Sequence, residues 1–71
     1  MSFDVDGEKL RRLRVEKALS LRALGGITGV AFDTISKLEN GHRPARLVTI
    51  RTLADALGVE PKELMNGDED G

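Results

Sequence analysis

Apolar residues recur at helical spacing through most of the chain, and the breaks between runs fall at small or capping residues. Leu10, Leu13 and Lys17 share one side of a first segment that opens with Asp6 as N-cap and Glu8 in its first turn, and Leu19 adds an apolar contact beyond its end. Ser20 is a capping residue for a second segment, with Leu21, Leu24 and Thr28 on one side and Arg22 on the other. Gly25 and Gly26 lie inside it. A glycine costs a helix about 1 kcal/mol relative to alanine, so both are expected to serve a close helix crossing. Gly29 can take a positive φ and reverse the chain. A third helix is predicted from Phe32 to Glu39, with Ile35 and Leu38 pointing one way, Asp33, Ser36, Lys37 and Asn40 the other, and Phe32 on the border.

Gly41 ends that helix and the loop His42-Arg43-Pro44-Ala45-Arg46 follows. Leu47, Ile50, Leu53, Ala54 and Leu57 then make a well-phased fourth helix stopped by Gly58, and Pro61 fits the first turn of a short fifth helix reaching Met65. The expected fold is all-α: a compact five-helix domain at residues 6–66, containing a helix-turn-helix at 21–40, followed by a disordered acidic tail at 67–71.

Composition narrows what such a domain can do. The 71 residues hold one domain, and an apolar core of this size supplies only about 3–5 kcal/mol. No cysteine is present and His42 is the single histidine, so no disulfide and no tetrahedral zinc site is expected, nor any other metal or cofactor. Close helix packing and self-association are left to supplement the core. Met1 to Gly7 carry acids without an apolar run, and nothing approaches the roughly 20 apolar residues of a membrane span, so a cytoplasmic protein with no membrane partner is expected. There is no paired-carboxylate cleft, no nucleophile beside a base and no phosphate-cradling glycine loop, which argues against an enzyme; no small-molecule effector site is legible either.

The net charge of −1 conceals a strong asymmetry. From Lys9 to Arg51 there are ten basic residues and three acidic ones, a local charge of +7, whereas the rest of the chain carries one basic residue and nine acids. The middle can face a polyanion while the ends keep the molecule soluble.

Gly25 would let two helices cross steeply, Gly29 would make the turn, and Ile35 and Leu38 would pin the second helix to the core, leaving a polar face outward. With these positions, the stretches Leu10-Arg11-Arg12-Leu13-Arg14, Leu19-Ser20, Leu24-Gly25, Gly29-Val30, Thr34-Ile35-Ser36-Lys37-Leu38-Glu39-Asn40-Gly41 and Leu53-Ala54-Asp55-Ala56-Leu57-Gly58-Val59 resemble the lambda-repressor-like (Cro/Xre-type) family. The resemblance runs from about Glu8 to Asn66. It implies a five-helix domain whose third helix reads double-stranded DNA. Leu21 departs from the glutamine common in that family, and Ala31 from its usual Ser or Thr N-cap. The loop proline sits one residue early.

On this reading Lys37 suits guanine O6 and N7, Thr34 and Ser36 are short donors near base or phosphate, Asp33 can accept from a cytosine amino group or offset the helix dipole, and Phe32 can meet a thymine methyl or cover the core. Ser20 and Arg22 are expected over the phosphate backbone, joined by Asn40, which also suits a helix C-cap, and by the loop cations His42, Arg43 and Arg46. The resemblance further implies a structural ion pair between Arg14 and Glu39. The expected function is a sequence-specific transcriptional regulator, a repressor, binding a palindromic operator as a homodimer, because one reading helix covers too few base pairs for genomic specificity. The fifth helix, with Leu64, Met65 and Leu47, is the expected contact between copies. The alternative is an antitoxin-like protein-interaction module with DNA binding secondary.

Overall fold

In the computed structural model, which describes residues 2–41 and 43–66, the chain enters as a short strand, β1 (Ser2–Phe3), and turns into helix α1 (Gly7–Glu16). Asp6 caps α1, its carboxylate accepting from the Lys9 amide at 3.1 Å. Lys17 is the C-cap rather than a member of the helix, and Ala18 makes the turn with φ 56°. Helix α2 (Leu21–Thr28) is capped by Ser20 and ends at Gly29, which has φ 78°. The Thr28 hydroxyl donates to the Leu24 carbonyl and accepts from the Val30 amide, so the turn's polar groups are satisfied locally. Helix α3 (Phe32–Glu39) follows, then strand β2 (Ala45–Arg46), helix α4 (Leu47–Leu57) and a 3₁₀ turn (Pro61–Leu64). No helix among the described residues is long and apolar enough to cross a membrane.

One core joins these elements. Leu10 of α1, Leu24 of α2, Ile35 and Leu38 of α3, Ile50, Leu53 and Leu57 of α4 and Leu64 of the 3₁₀ turn are all removed from solvent, and every wholly buried large side chain among the described residues is apolar. Each such Leu or Ile contributes roughly 1.5–3 kcal/mol relative to exposure.

The architecture is mostly helical, but four helices and a 3₁₀ turn replace the five expected helices, and two strands are added. The last segment is only four residues long, and Met65 beyond it is already extended at φ −100° and ψ 142°, bridged to Val5, so no α-helical turn can continue. The strands pair antiparallel, Ser2 with Arg46 and Phe3 with Ala45. Phe3 packs on the core and Val5 is part of it.

Two further expectations are corrected. A Cβ at Gly25 would lie 2.9 Å from the Val30 carbonyl oxygen, the close approach that a steep α2–α3 crossing requires, but a Cβ at Gly26 would meet nothing within 4 Å. Gly26 has no packing role. Leu64, expected between copies, is wholly buried inside its own chain, because the 3₁₀ turn folds back against α4 and α1. The tail at 67–71 and His42 lie outside the described residues.

Candidate nucleic-acid interface

The side of α3 away from the core presents its polar residues together. Ile35 and Leu38 are held in the interior, and this rotation leaves Asp33 exposed and Thr34, Ser36 and Lys37 half-buried. Asp33 and Lys37 are one turn apart and pair at 3.3 Å, with 69% and 42% of their side chains exposed. A solvent-accessible pair of this kind is weak and opens readily to other partners. Phe32, 43% exposed, starts the helix, and the Arg22 guanidinium of α2 stands 4.7 Å from its ring centroid. That cation–π stack orients a cation at the seam between the two helices.

The two helix starts are built differently. At α2 the Ser20 hydroxyl accepts from the Ala23 amide at 3.0 Å. Its own hydrogen and the Leu21 and Arg22 amides have no acceptor among the described residues and are available to another molecule. At α3, Ala31 supplies no side-chain cap, so the first amides have no partner from the cap position. Asn40 is an exposed C-cap whose amide donates to the Ser36 carbonyl, and Arg43 and Arg46 are exposed on the segment that follows.

The far end of α3 is fixed by Arg14. Its Nε donates to Glu39 Oε2 at 2.6 Å, one terminal nitrogen donates to Glu39 Oε1 at 3.0 Å, and the other donates to the Leu19 carbonyl at 2.8 Å. With side chains only 12% and 6% exposed, this is a sheltered, fork-like pair. The hydrogen bond to Glu39, assisted by its charge, raises the Arg14 pKa above its ordinary value despite the opposing effect of burial. Arg14 therefore ties α1, the α1–α2 turn and α3 into one body.

Sequence reasoning named Leu47 for a contact between copies but missed the rest of its surface and one strand pairing. The outer face of α4 exposes Leu47 and Val48, 38% and 65% accessible, beside Arg51 and Asp55. The signal was present as a second helical stripe next to the core stripe. The pairing of β1 with the segment after α3 was also unforeseen, although Phe3 and Val5 alternate with Ser2, Asp4 and Asp6 in the period of a strand.

A helix with side chains is about 10–12 Å across and the major groove of B-DNA about 12 Å wide, so α3 with its short polar outer face has the dimensions to enter one. Comparison with known proteins agrees with this geometry. Residues 7–66 match the family described as a helix-turn-helix domain. The HTH-type transcriptional repressor RghR of Bacillus subtilis is 42% identical over 60 residues, covering 83% of this chain and 44% of RghR, so the chain spans less than half the length of that relative. The restriction-modification controller protein C.AhdI of Aeromonas hydrophila superposes with a TM-score of 0.78 at 41% identity, over 83% of this chain and 89% of C.AhdI. The P22 c2 repressor, solved in complex with a synthetic operator, superposes at 0.82 with 30% identity, over 90% of this chain and 97% of that one. The chain belongs to the helix-turn-helix family, in its lambda-repressor-like, Cro/Xre-type form.

Proposed function

We propose that the chain is a cytoplasmic, sequence-specific regulator of transcription, a repressor, that places α3 in the major groove of a palindromic operator as a homodimer. The observation that carries this reading is the outer face of α3: donors and acceptors of several kinds on a helix whose other side is locked into the core. Lys37, Asp33, Ser36, Thr34 and Phe32 are the base-facing group. Ser20, Arg22, Asn40, Arg43 and Arg46 are the phosphate-facing group. RghR is named as a transcriptional repressor, and the P22 c2 repressor was solved on an operator, which supports the same reading.

For the contact between copies, α4 replaces the 3₁₀ turn. Leu47 and Val48 are the apolar centre, and Arg51 and Asp55, one turn apart on the same helix, give a two-fold axis the opposite charges that a self-complementary patch needs. The two copies of α3 must then stand about 34–36 Å apart to reach successive major grooves. Selection of bound duplexes from a random pool, with light scattering of the protein alone and on the selected site, tests both parts. A palindrome bound by two copies is expected. An asymmetric site bound by one copy overturns the dimer, and recovery of no preferred sequence favours a protein-interaction module instead.

A further inference from the structure

We propose that Ser2–Val5 form a strap that positions Arg46 against the nucleic-acid backbone. The inference rests on the DNA-binding reading above. Arg43 and Arg46 follow α3 on a short connection, where two exposed arginines would ordinarily ride on a mobile loop. Here the connection is paired on one edge. Ser2 lies opposite Arg46 and Phe3 opposite Ala45, and Ala45 is only 6% exposed.

A two-residue ladder is not stable alone. The strap gains its hold from its other partners. The Asp6 amide donates to the Leu64 carbonyl at 2.8 Å, the Asn66 amide donates to the Asp4 carbonyl at 3.1 Å, and the Asn66 side-chain nitrogen donates to the Val5 carbonyl at 3.2 Å. Val5, 5% exposed, is buried in the core. The segment is thus bonded to the arginine-bearing connection and to the end of the 3₁₀ turn, and anchored through Val5 beneath. The backbone under Arg46 is ordered on folding rather than on binding, which is how preorganisation raises affinity without adding new interactions.

Ser2–Val5 is therefore a positioning element whose removal acts through Arg46. The test measures duplex binding against salt for four proteins: the unaltered chain, a chain lacking Ser2 and Phe3, Phe3→Gly, and the double substitution Arg43→Ala with Arg46→Ala. A fifth, combining the deletion with the double substitution, completes the cycle, and circular dichroism establishes that each is folded. Phe3→Gly keeps the chain length and serves if the deletion does not fold. For every phosphate that the protein no longer neutralises, the slope of log K on log salt becomes shallower by about 0.9. The double substitution is expected to flatten the slope by about twice that per protomer, whereas the strap variants, whose arginines still reach phosphate, are expected to bind more weakly at every salt concentration with slope and base preference unchanged. The deletion is expected to cost nothing more once both arginines are gone. A folded strap variant with the affinity of the unaltered chain, or strap and arginine effects that add in full, overturns the proposal. Absence of duplex binding by the unaltered chain overturns the DNA-binding reading itself, an outcome distinct from either.

Discussion

The two ends of α3 are held by opposite means. At its C-terminal end, Leu38 is buried, Glu39 is gripped by Arg14, and α1 begins so close that a Cβ at Gly7 would collide with the carbonyl oxygens of Leu38 and Glu39. At its N-terminal end, Ala31 gives no cap, Phe32 is partly exposed under Arg22, and Asp33 has only a solvent-accessible pairing with Lys37 of the last turn. One end is clamped by close backbone approach and sheltered charge. The other, once Ile35 and the close crossing at Gly25 have set the helix in place, carries outward side-chain interactions that water or a ligand can replace at little cost. The difference teaches how a small domain can hold a helix rigidly and still leave its polar groups available.

The comparison breaks most severely at the clamp. Arg14→Ala leaves Glu39 sheltered and without its partner, and removing one member of a buried pair typically costs about 3–5 kcal/mol. That is most of what a core of this size supplies, so the variant is expected to be largely unfolded at ambient temperature in denaturant titration. Replacing both partners with apolar residues that fill the same volume should restore much of the stability, because the cost arises from the stranded charge more than from the absent attraction. If Arg14→Ala unfolds within about 1 kcal/mol of the unaltered chain, the clamp is not what holds α3.

On the presenting face the expected effects are on selectivity. Lys37→Ala should lose about 1–3 kcal/mol of discrimination at one base pair, while Arg22→Ala should weaken all duplexes about equally. Equal losses on selected and random DNA for the Lys37 variant would remove Lys37 from the base-facing group. The N-terminal end of α3 should accept a stabilising change. Ala31→Ser offers the missing cap, worth about 1 kcal/mol, and in a domain this small that raises the melting midpoint by about 4–8 °C. No gain would mean that the first amides of α3 are already satisfied.

The clamp and the presenting face were unequally legible in the sequence. Helices α1 to α4 could be read because each combines an apolar stripe with a recognisable start or stop: Asp6, Ser20, Gly29, Gly41, Gly58. The outward residues of α3 followed from rotation once Ile35 and Leu38 were assigned to the core. The strap did not follow, because an alternating pair such as Phe3 and Val5 marks a strand only if a partner exists, and Ala45-Arg46 carries no pattern of its own. Leu64 shows the same limit. An isolated apolar residue near the end of a domain has the same signature whether it faces the core or another molecule, and only the folding back of the 3₁₀ turn decides. Gly7 reads as part of an acidic lead-in; its need to be glycine comes from two carbonyls on a helix far along the chain, those of Leu38 and Glu39.

The smallest expected effect lies on the frame behind the clamp, where the Lys9 ammonium of α1 meets Glu63 Oε1 of the 3₁₀ turn at 2.6 Å. The hydrogen bond from Lys9, reinforced by its charge, holds the Glu63 carboxyl below its ordinary value of 4.5. A carboxyl whose pKa is lower in the folded than in the unfolded chain stabilises the fold fully above the unfolded value, and that contribution disappears as pH falls through the folded one. The pair therefore contributes at neutral pH and ceases to do so in acid below the ordinary carboxylate range. Lys9→Met keeps the aliphatic stem and removes the charge, so its melting midpoint should lie slightly below that of the unaltered chain at pH 7, with the gap closing only as the pH drops below 4.5. The gap should also shrink with added salt, since both side chains are partly exposed. The difference between the two curves reports on the Lys9–Glu63 pair. Curves that stay parallel from neutral to acid pH would show that Lys9 leaves the Glu63 carboxyl unperturbed, and the contact between α1 and the 3₁₀ turn would then rest on apolar packing alone.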